Sequence, residues 1–208
     1  ESALPADHFH NEQITAGAIR LQQLKMLAVD ACRNENNEVA RQLLGRMLHT
    51  VQDFYSHSNW VELGLNMPND QLARSTLLGQ IVNSSITACF ACDSPASCRD
   101  NINAYVLRNR LLTTGHFSLN PFATKPAGRC SHGGPLDRTA GTNTPHDGIS
   151  KDTLDAPHGH LHLAAAALAA LSTHDLLRDV WLAVGNEKFH QLLGLGSLAE
   201  SLRKNTAS

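Results

Sequence analysis

The sequence predicts an all-α fold, a single helical bundle that contains a long ordered loop and is stapled by disulfides. Ala and Leu are abundant while aromatic residues make up only 5% of the chain, a composition that favours helix packing over a β-sandwich. Apolar residues recur at helical spacing, and no segment shows the convincing alternation of a half-buried strand. At 208 residues, one domain covering 1–208 is the expected organisation.

The first part of the chain is expected to contain four helices. Two stripes of apolar residues at helical spacing are separated by a polar break at 33–37. The expected helices lie at 14–31, at 44–55 with an extension to Leu63 allowed by the pattern, at 71–87, and at 101–114 between an N-cap at Asp100 and a stop at Gly115.

The second part is expected to combine a long loop with further helices. Residues 116–151 are rich in Gly, Pro, Asn and Thr, and the histidines on both sides indicate an ordered loop rather than a linker. Asp155-Ala156-Pro157 is expected to open a fifth helix, because Asp is a good N-cap and Pro is favoured in a first turn. Short closing helices are expected at three capping residues, Thr173, Asn186 and Ser197.

Charge and hydropathy exclude two kinds of protein. The formal net charge is −2 with neutral His, so nothing indicates a nucleic-acid-binding surface. No run of 18 or more apolar residues is present, so no membrane-spanning helix is predicted. The chain starts at Glu1 rather than Met, and we expect a processed end or an artificial boundary from which any signal peptide has been removed.

Four cysteines in loop-like sequence indicate two disulfides, and the fifth, Cys32, lies in a predicted helix and is expected to be reduced. The alternative is a zinc knuckle, which needs paired CxxC spacings, and only Cys89 and Cys92 have that spacing. Disulfides are therefore favoured, with their pairing left open, among the four residues Cys89, Cys92, Cys98 and Cys130.

Disulfides form in oxidising compartments, so they predict a secreted, extracellular protein. The segment Asn83-Ser84-Ser85 is an N-glycosylation sequon, which is weak evidence alone but agrees with secretion and predicts a glycoprotein.

Histidine is unusually frequent, with 12 residues, and clustered, which raises the prospect of metal binding. His49, Asp53 and His57 follow one another at intervals of four on one predicted helix, so they span an arc of roughly 80° and project from one side. One interpretation is a solvated polar face. The other is a helix with an apolar side and a metal-binding side, since spacing of four brings donors from adjacent turns together.

A second pair with the same spacing is His158 and His162, at the start of an Ala- and Leu-rich helix, whereas His160 points elsewhere and is expected to be exposed. Helical bundles build metal centres from facing helices. The two motifs therefore predict one centre between two closely packed helices, with the His49 and His158 side chains within about 12 Å.

Weaker candidates lie outside these helices. In the segment DHFHNE, Asp7, His8 and Glu12 could reach a metal from the N-terminal arm, or they could form a polar cap on the first helix. His132 and Asp152 lie in the long loop and could line a cleft.

Four segments, HTVQDFYSHSNWVELG, GRCSHGG, GISKDT and PHGHLHLAA, resemble the fungal Het-C proteins and the Het-C-like N-terminal domains of the von Willebrand factor A domain-containing protein 7 family. The resemblance runs from about Asp7 to Leu193. In such proteins this region precedes a von Willebrand A domain, which is absent here, so the resemblance implies a fragment, a truncated isoform or a short relative.

The Het-C-like motif in turn resembles, distantly, the HxxxD signature of zinc-dependent phospholipase C and related nucleases, and implies a similar fold. His49 and Asp53 match that signature, His57 matches the following His, and His158 matches the His of a later HxxxE. This sequence departs from that pattern in two ways. The gap from Asp53 to His57 is shorter than is usual in the phospholipase C superfamily, and His162 stands where the HxxxE motif has Glu. The resemblance implies one or two zinc ions rather than three, with Asp53 as the candidate catalytic ligand.

Two functions of different classes follow. The favoured one is a secreted metal-binding domain without intact catalysis, with an extracellular interaction or Het-C-like membrane-perturbing role, because the matched ligand set is incomplete. The alternative is a zinc-dependent, phospholipase C-like phosphodiesterase, in which metal activates water. In either case a phospholipid or membrane surface is the partner that the resemblance implies.

Overall fold

The computed structural model describes residues 4–92, 97–139 and 147–195. That part of the chain contains five α-helices and three short 3-10 helices, and its only β-type pairing consists of isolated bridges, so the all-α prediction is confirmed. The helices are α1 (Ile14–Arg33), α2 (Asn37–His57), α3 (Ala104–Arg108), α4 (His162–Val184) and α5 (Asn186–Leu192), with 3-10 turns at Pro5–His8, Ser97–Asp100 and Gly159–Leu161.

Helices α1, α2 and α4 pack together and form the main core. The connection between α1 and α2 is short, and Asn36 caps α2 by accepting a hydrogen bond from the Val39 backbone N–H. The apolar stripe of α2 lies in this core, as expected, and α4 contributes the opposite wall. The buried residues of these two helices include Leu44, Met47, Val51, Phe54, Leu168, Leu176 and Val180.

The N-terminal arm is anchored to this core by Phe9, which is fully buried and packs edge-on against Phe54 with ring centroids 5.2 Å apart. Phe9 adopts a left-handed backbone conformation at the end of the first 3-10 turn. It fits because α1 carries Gly17 at the contact: a Cβ there would lie 2.6 Å from the Phe9 ring. Gly17 therefore fixes where the arm lies on the helices.

The expectation of a helix at 71–87 is wrong, since this segment consists of turns and bends. Short polar side chains form hydrogen bonds with nearby backbone groups in this segment, and such local hydrogen bonds compete with those of a helix. Asn69 accepts from the Gln71 N–H and donates to the Leu78 carbonyl, and the Asn83 side chain accepts from the Ser85 N–H.

The helix expected at 101–114 is much shorter, because α3 is capped by Asn103 rather than Asp100 and is followed by Arg110 in a left-handed conformation. The helix expected to open at Asp155 begins only at His162, after a 3-10 turn.

Three further expectations about helix ends are wrong. Helix α2 ends at His57 and does not extend to Leu63. Thr173 lies inside α4 rather than capping a short helix, and Asn186 is the first residue of α5, whose N-cap is Gly185. Ser197 lies outside the described residues.

The loop-rich part of the chain has its own small core, which is closed by a disulfide between Cys89 and Cys130. A second disulfide joins Cys92 and Cys98, and Cys32 is free and buried in α1. The expected two disulfides are thus confirmed, and the zinc-knuckle alternative is not. Within the described ranges, no helix combines the length and apolarity needed to cross a membrane.

Replacing Gly17 with Ala should lower the free energy of unfolding by about 1–3 kcal/mol, because the new methyl group overlaps the Phe9 ring. Gly45, in α2, is the matched control, since a Cβ there meets nothing within 4 Å. Gly45→Ala should stabilise by about 0.5–1 kcal/mol. Urea unfolding of both variants measures this, and an equal effect at the two sites would show that Phe9 does not depend on Gly17.

Candidate metal centre

Helix α2 presents His49, Asp53 and His57 on successive turns toward the N-terminal arm, as its sequence predicts. Backbone hydrogen bonds hold this arrangement from the loop side. The Gly115 N–H donates to the His57 carbonyl, and the Gly115 carbonyl accepts from the Asn11 N–H, 3.1 and 3.0 Å respectively. The arm and the end of α2 are thereby fixed relative to one another.

The first cluster consists of His8, His49 and Asp53. Asp53 Oδ2 lies 2.7 Å from His8 Nδ1 and 3.1 Å from His49 Nε2, and the two nitrogens are 3.1 Å apart. Three potential donor atoms, from the arm and from two turns of α2, therefore form a small triangle.

Ring protons cannot satisfy all three edges of this triangle. If both nitrogens carry a proton toward Asp53, the two N–H groups face each other at 3.1 Å. If only one nitrogen is protonated, the lone pair of the other nitrogen still faces the Asp53 carboxylate oxygen, and that contact is repulsive. A cation that accepts three lone pairs resolves the conflict, so the donor set fits a metal ion.

The second cluster consists of His10, His57 and His132, with one ring nitrogen from each within 4.8 Å of the others. Their ring centroids are 4.5 to 4.9 Å apart. The carboxylate of Asp152 adjoins this cluster, with Oδ1 2.9 Å from His57 Nε2 and Oδ2 3.2 Å from His132 Nε2. Three imidazoles and one carboxylate thus converge from the arm, α2 and the long loop.

Carbonyl groups fix the orientation of two of these rings. His57 Nδ1 donates to the His8 carbonyl at 2.9 Å, and His132 Nδ1 donates to the Gly133 carbonyl at 2.8 Å. The two Nε2 atoms then face Asp152: when protonated they donate to its carboxylate, and without that proton their lone pairs are available to an ion. This is the outer hydrogen bonding that commonly orients metal-binding histidines.

His10 is the most informative member of the second cluster. Its Nε2 is buried and has no hydrogen-bond partner among the described residues. Burial, together with the neighbouring rings of His57 and His132, lowers the pKa of His10 to about 2. The ring is therefore neutral, and a buried lone pair without a partner is costly unless an ion binds it.

Both carboxylates are ionised, as metal ligands must be. Burial alone would raise the pKa of Asp53, but hydrogen bonds from His49 and His8 bring it down to about 2. Burial likewise opposes ionisation of Asp152, and its contacts with His132 and His57 hold the pKa of Asp152 well below its usual range. Burial would lower the pKa of His57, and the Asp152 hydrogen bond with the charge of Asp53 raises it instead.

The long loop brings His132 to the cluster by close backbone packing. The His132 N–H donates to the His116 carbonyl, and its own carbonyl accepts from the Ser150 N–H. Gly148 permits this approach, since a Cβ there would lie 2.2 Å from the His132 carbonyl oxygen. Gly148, the glycine of GISKDT, therefore serves to position the His132 side chain.

The two clusters are neighbours, joined through His8. The His8 ring belongs to the first cluster, while its carbonyl orients His57 in the second. The His8 and His10 rings stack with centroids 5.4 Å apart. Both clusters reach solvent, because the side chains of His49 and Asp152 are 43% and 41% exposed.

The other sequence-predicted ligands lie elsewhere. His158 and His162 belong to neither of these groups, so the structure does not place the two predicted histidine pairs around one ion. Asp7 pairs with Arg20, and Glu12 accepts a hydrogen bond from Thr113 and pairs with Arg129.

Sequence reasoning singled out His8, His132 and Asp152 only weakly, and it missed His10 as a ligand. The spacing of His8 and His10 by two residues was the available signal, but it is uninformative until the conformation of the arm is known.

The fold and site define a disulfide-bonded helical domain with two neighbouring histidine–aspartate clusters. The family model of the VWA7 N-terminal domain matches residues 2–190, and the chain belongs to that family. It is 38% identical over 198 residues to von Willebrand factor A domain-containing protein 7 of Homo sapiens, and 36% identical over 195 residues to that of Rattus norvegicus. Each alignment covers 92% of this chain and 21% of the relative. No solved structure matches.

Proposed function

We propose that this domain binds two divalent metal ions, zinc in the first instance, one at each cluster. The observation that carries the proposal is the buried, unpartnered His10 Nε2 enclosed with His57 and His132. Imidazole and carboxylate donors suit zinc, and the three donors of the first cluster leave a coordination position open, as in catalytic zinc sites. A bound ion of this kind lowers the pKa of its water and polarises a phosphoryl oxygen.

Elemental analysis of the purified protein should find about two zinc ions per chain at neutral pH. Asp53→Ala should remove the ion at the first cluster, and His10→Ala should remove the one at the second, because each change deletes a donor from only one set. His174→Ala is the matched control, since this histidine is 76% exposed on α4. A folded protein that holds no metal after zinc loading would contradict the proposal.

A second candidate function is hydrolysis of phosphodiesters by this centre. The matched motif residues alone gave an incomplete ligand set, and His8, His10, His132 and Asp152 complete the two clusters. The exposure of His49 and Asp152 makes each cluster accessible from solvent. A purely structural zinc site is closed by four protein ligands, whereas the first cluster offers three. Asp53, held between His8 and His49, would act as a ligand.

Exposed apolar side chains near the second cluster favour a phospholipid substrate at a membrane surface. Phe117 packs against the rings of His10 and His132, with centroids 5.1 and 5.3 Å away. The loop that follows carries Leu119 and Phe122, which are 65% and 90% exposed. Leu136, 63% exposed, is near them, since the Arg138 N–H donates to the Ser118 carbonyl. Exposed apolar groups of this kind can enter a lipid interface.

Zinc-loaded protein should release the headgroup from phosphatidylcholine vesicles, and Asp53→Ala should reduce the rate by at least about a hundredfold. Phe122→Ser should weaken vesicle binding while leaving hydrolysis of a soluble phosphodiester such as bis(4-nitrophenyl) phosphate unchanged. Vesicle binding without headgroup release would instead support a non-catalytic membrane role. If the protein neither binds vesicles nor hydrolyses phosphodiesters, both roles are excluded.

We propose, further, that the domain is extracellular. Two disulfides suit an oxidising compartment. Asn83 is exposed and its side chain is held by Ser85 in a turn, so the sequon is accessible. Peptide mapping of the full-length protein from expressing cells should find both disulfides and a glycan on Asn83. Recovery of these cysteines as free thiols would contradict an extracellular location.

A further inference from the structure

His158 is fully buried, and both of its ring nitrogens are already engaged. Nδ1 lies 2.6 Å from Glu62 Oε1, and Nε2 lies 2.8 Å from the Cys98 carbonyl oxygen and 3.2 Å from Asn101 Oδ1. Every one of these partners is an acceptor, and among the described residues His158 belongs to none of the groups of donors that could hold a metal ion. Its role must lie in what it holds.

Glu62 links His158 to Lys151, whose side chain is completely buried. Lys151 Nζ donates to Glu62 Oε1, to the Ser58 carbonyl and to the Ile149 carbonyl at 2.8, 2.9 and 2.7 Å. All three N–H groups of the ammonium are therefore satisfied. Burying an ammonium costs several kcal/mol unless it is paired and fully hydrogen-bonded, so this geometry is tightly constrained.

Lys151 is bound to the residues on both sides of His57. Its backbone N–H donates to the Ser56 carbonyl at 3.0 Å, and its Nζ holds the Ser58 carbonyl. The next residue along the chain is Asp152, whose carboxylate contacts His57 and His132 in the second cluster. The position of Lys151 thus sets the distance between Asp152 and the end of α2.

His162 holds the backbone of the same residue from the other side. Its Nδ1 donates to the Lys151 carbonyl at 2.6 Å, from the first residue of α4. The backbone of Lys151, the residue before Asp152, is therefore held by α2 through its N–H and by α4 through its carbonyl.

We infer that Glu62, Lys151, His158 and His162 are positioning residues that hold Asp152 and His57 in place for the ion at the second cluster. The inference rests on the proposed metal binding. It gives the His158 and His162 pair a role around the centre rather than in it. Such outer hydrogen bonds change metal affinity about 10- to 100-fold when they are removed.

The positioning role is tested by letting metal-depleted protein compete with a chromophoric chelator for Zn²⁺. This measurement resolves two dissociation constants, and the His10→Ala variant identifies the one that belongs to the second cluster. His162→Ala should weaken that ion about 10- to 100-fold and leave the first cluster unchanged. His160→Ala, on the adjoining exposed position, should change neither. If the wild-type protein and the His162→Ala variant bind both ions with the same affinities, the positioning role is refuted and the proposed metal binding is not. A wild-type protein that binds no ion defeats both.

Two conservative variants separate positioning from direct coordination, and they carry the test should His162→Ala not fold. His162→Asn places an amide N–H near the position of Nδ1, so it can donate to the Lys151 carbonyl and should retain the affinity. His162→Gln places its amide nearer the position of Nε2 and should lose it. Equal affinities in the two variants, or the reverse order, would overturn the positioning role.

Discussion

The hydrogen bond from His57 Nδ1 to the His8 carbonyl oxygen is the contact on which the rest of the centre depends. It orients the His57 ring, so that Nε2 faces Asp152. It also holds the N-terminal arm against the last turn of α2, which keeps the His8 ring beside Asp53 and His49. One carbonyl therefore links the two clusters, and a shift of the arm would alter both.

The second constraint is the buried charge of Lys151. An ammonium removed from water tolerates little freedom, because each N–H must keep an acceptor. Its three acceptors are the Ser58 carbonyl at the end of α2, the Ile149 carbonyl two residues earlier in the loop, and the Glu62 carboxylate. This requirement fixes the loop on the helices. A long loop can then deliver a carboxylate with the accuracy usually associated with a helix.

Sequence periodicity predicted part of this structure for a physical reason. Residues four apart on a helix share a side, so the placement of His49, Asp53 and His57 along α2 followed from their spacing. His10, His132 and Asp152 could not be placed in the same way, because their positions depend on the left-handed Phe9 and on contacts such as Gly148 against His132. The all-α class and the two disulfides were predictable. The helix at 71–87 was not excluded, because side-chain capping by Asn69 and Asn83 leaves no periodic signal.

Core and donor residues are direct neighbours along the chain in both segments that build the centre. Phe9 lies between His8 and His10 in the arm, and Phe54 follows Asp53 in α2, so the contact between the two buried rings fixes donors on either side. A change in the packing of Phe9 would therefore displace one donor of each cluster together. In the other direction, an ion bound by His10, His57 and His132, as proposed, would join the arm, α2 and the loop, which the unfolded chain cannot bring together. Metal binding at this site would then stabilise the fold, and it would be coupled to the core through Phe9 and Gly17.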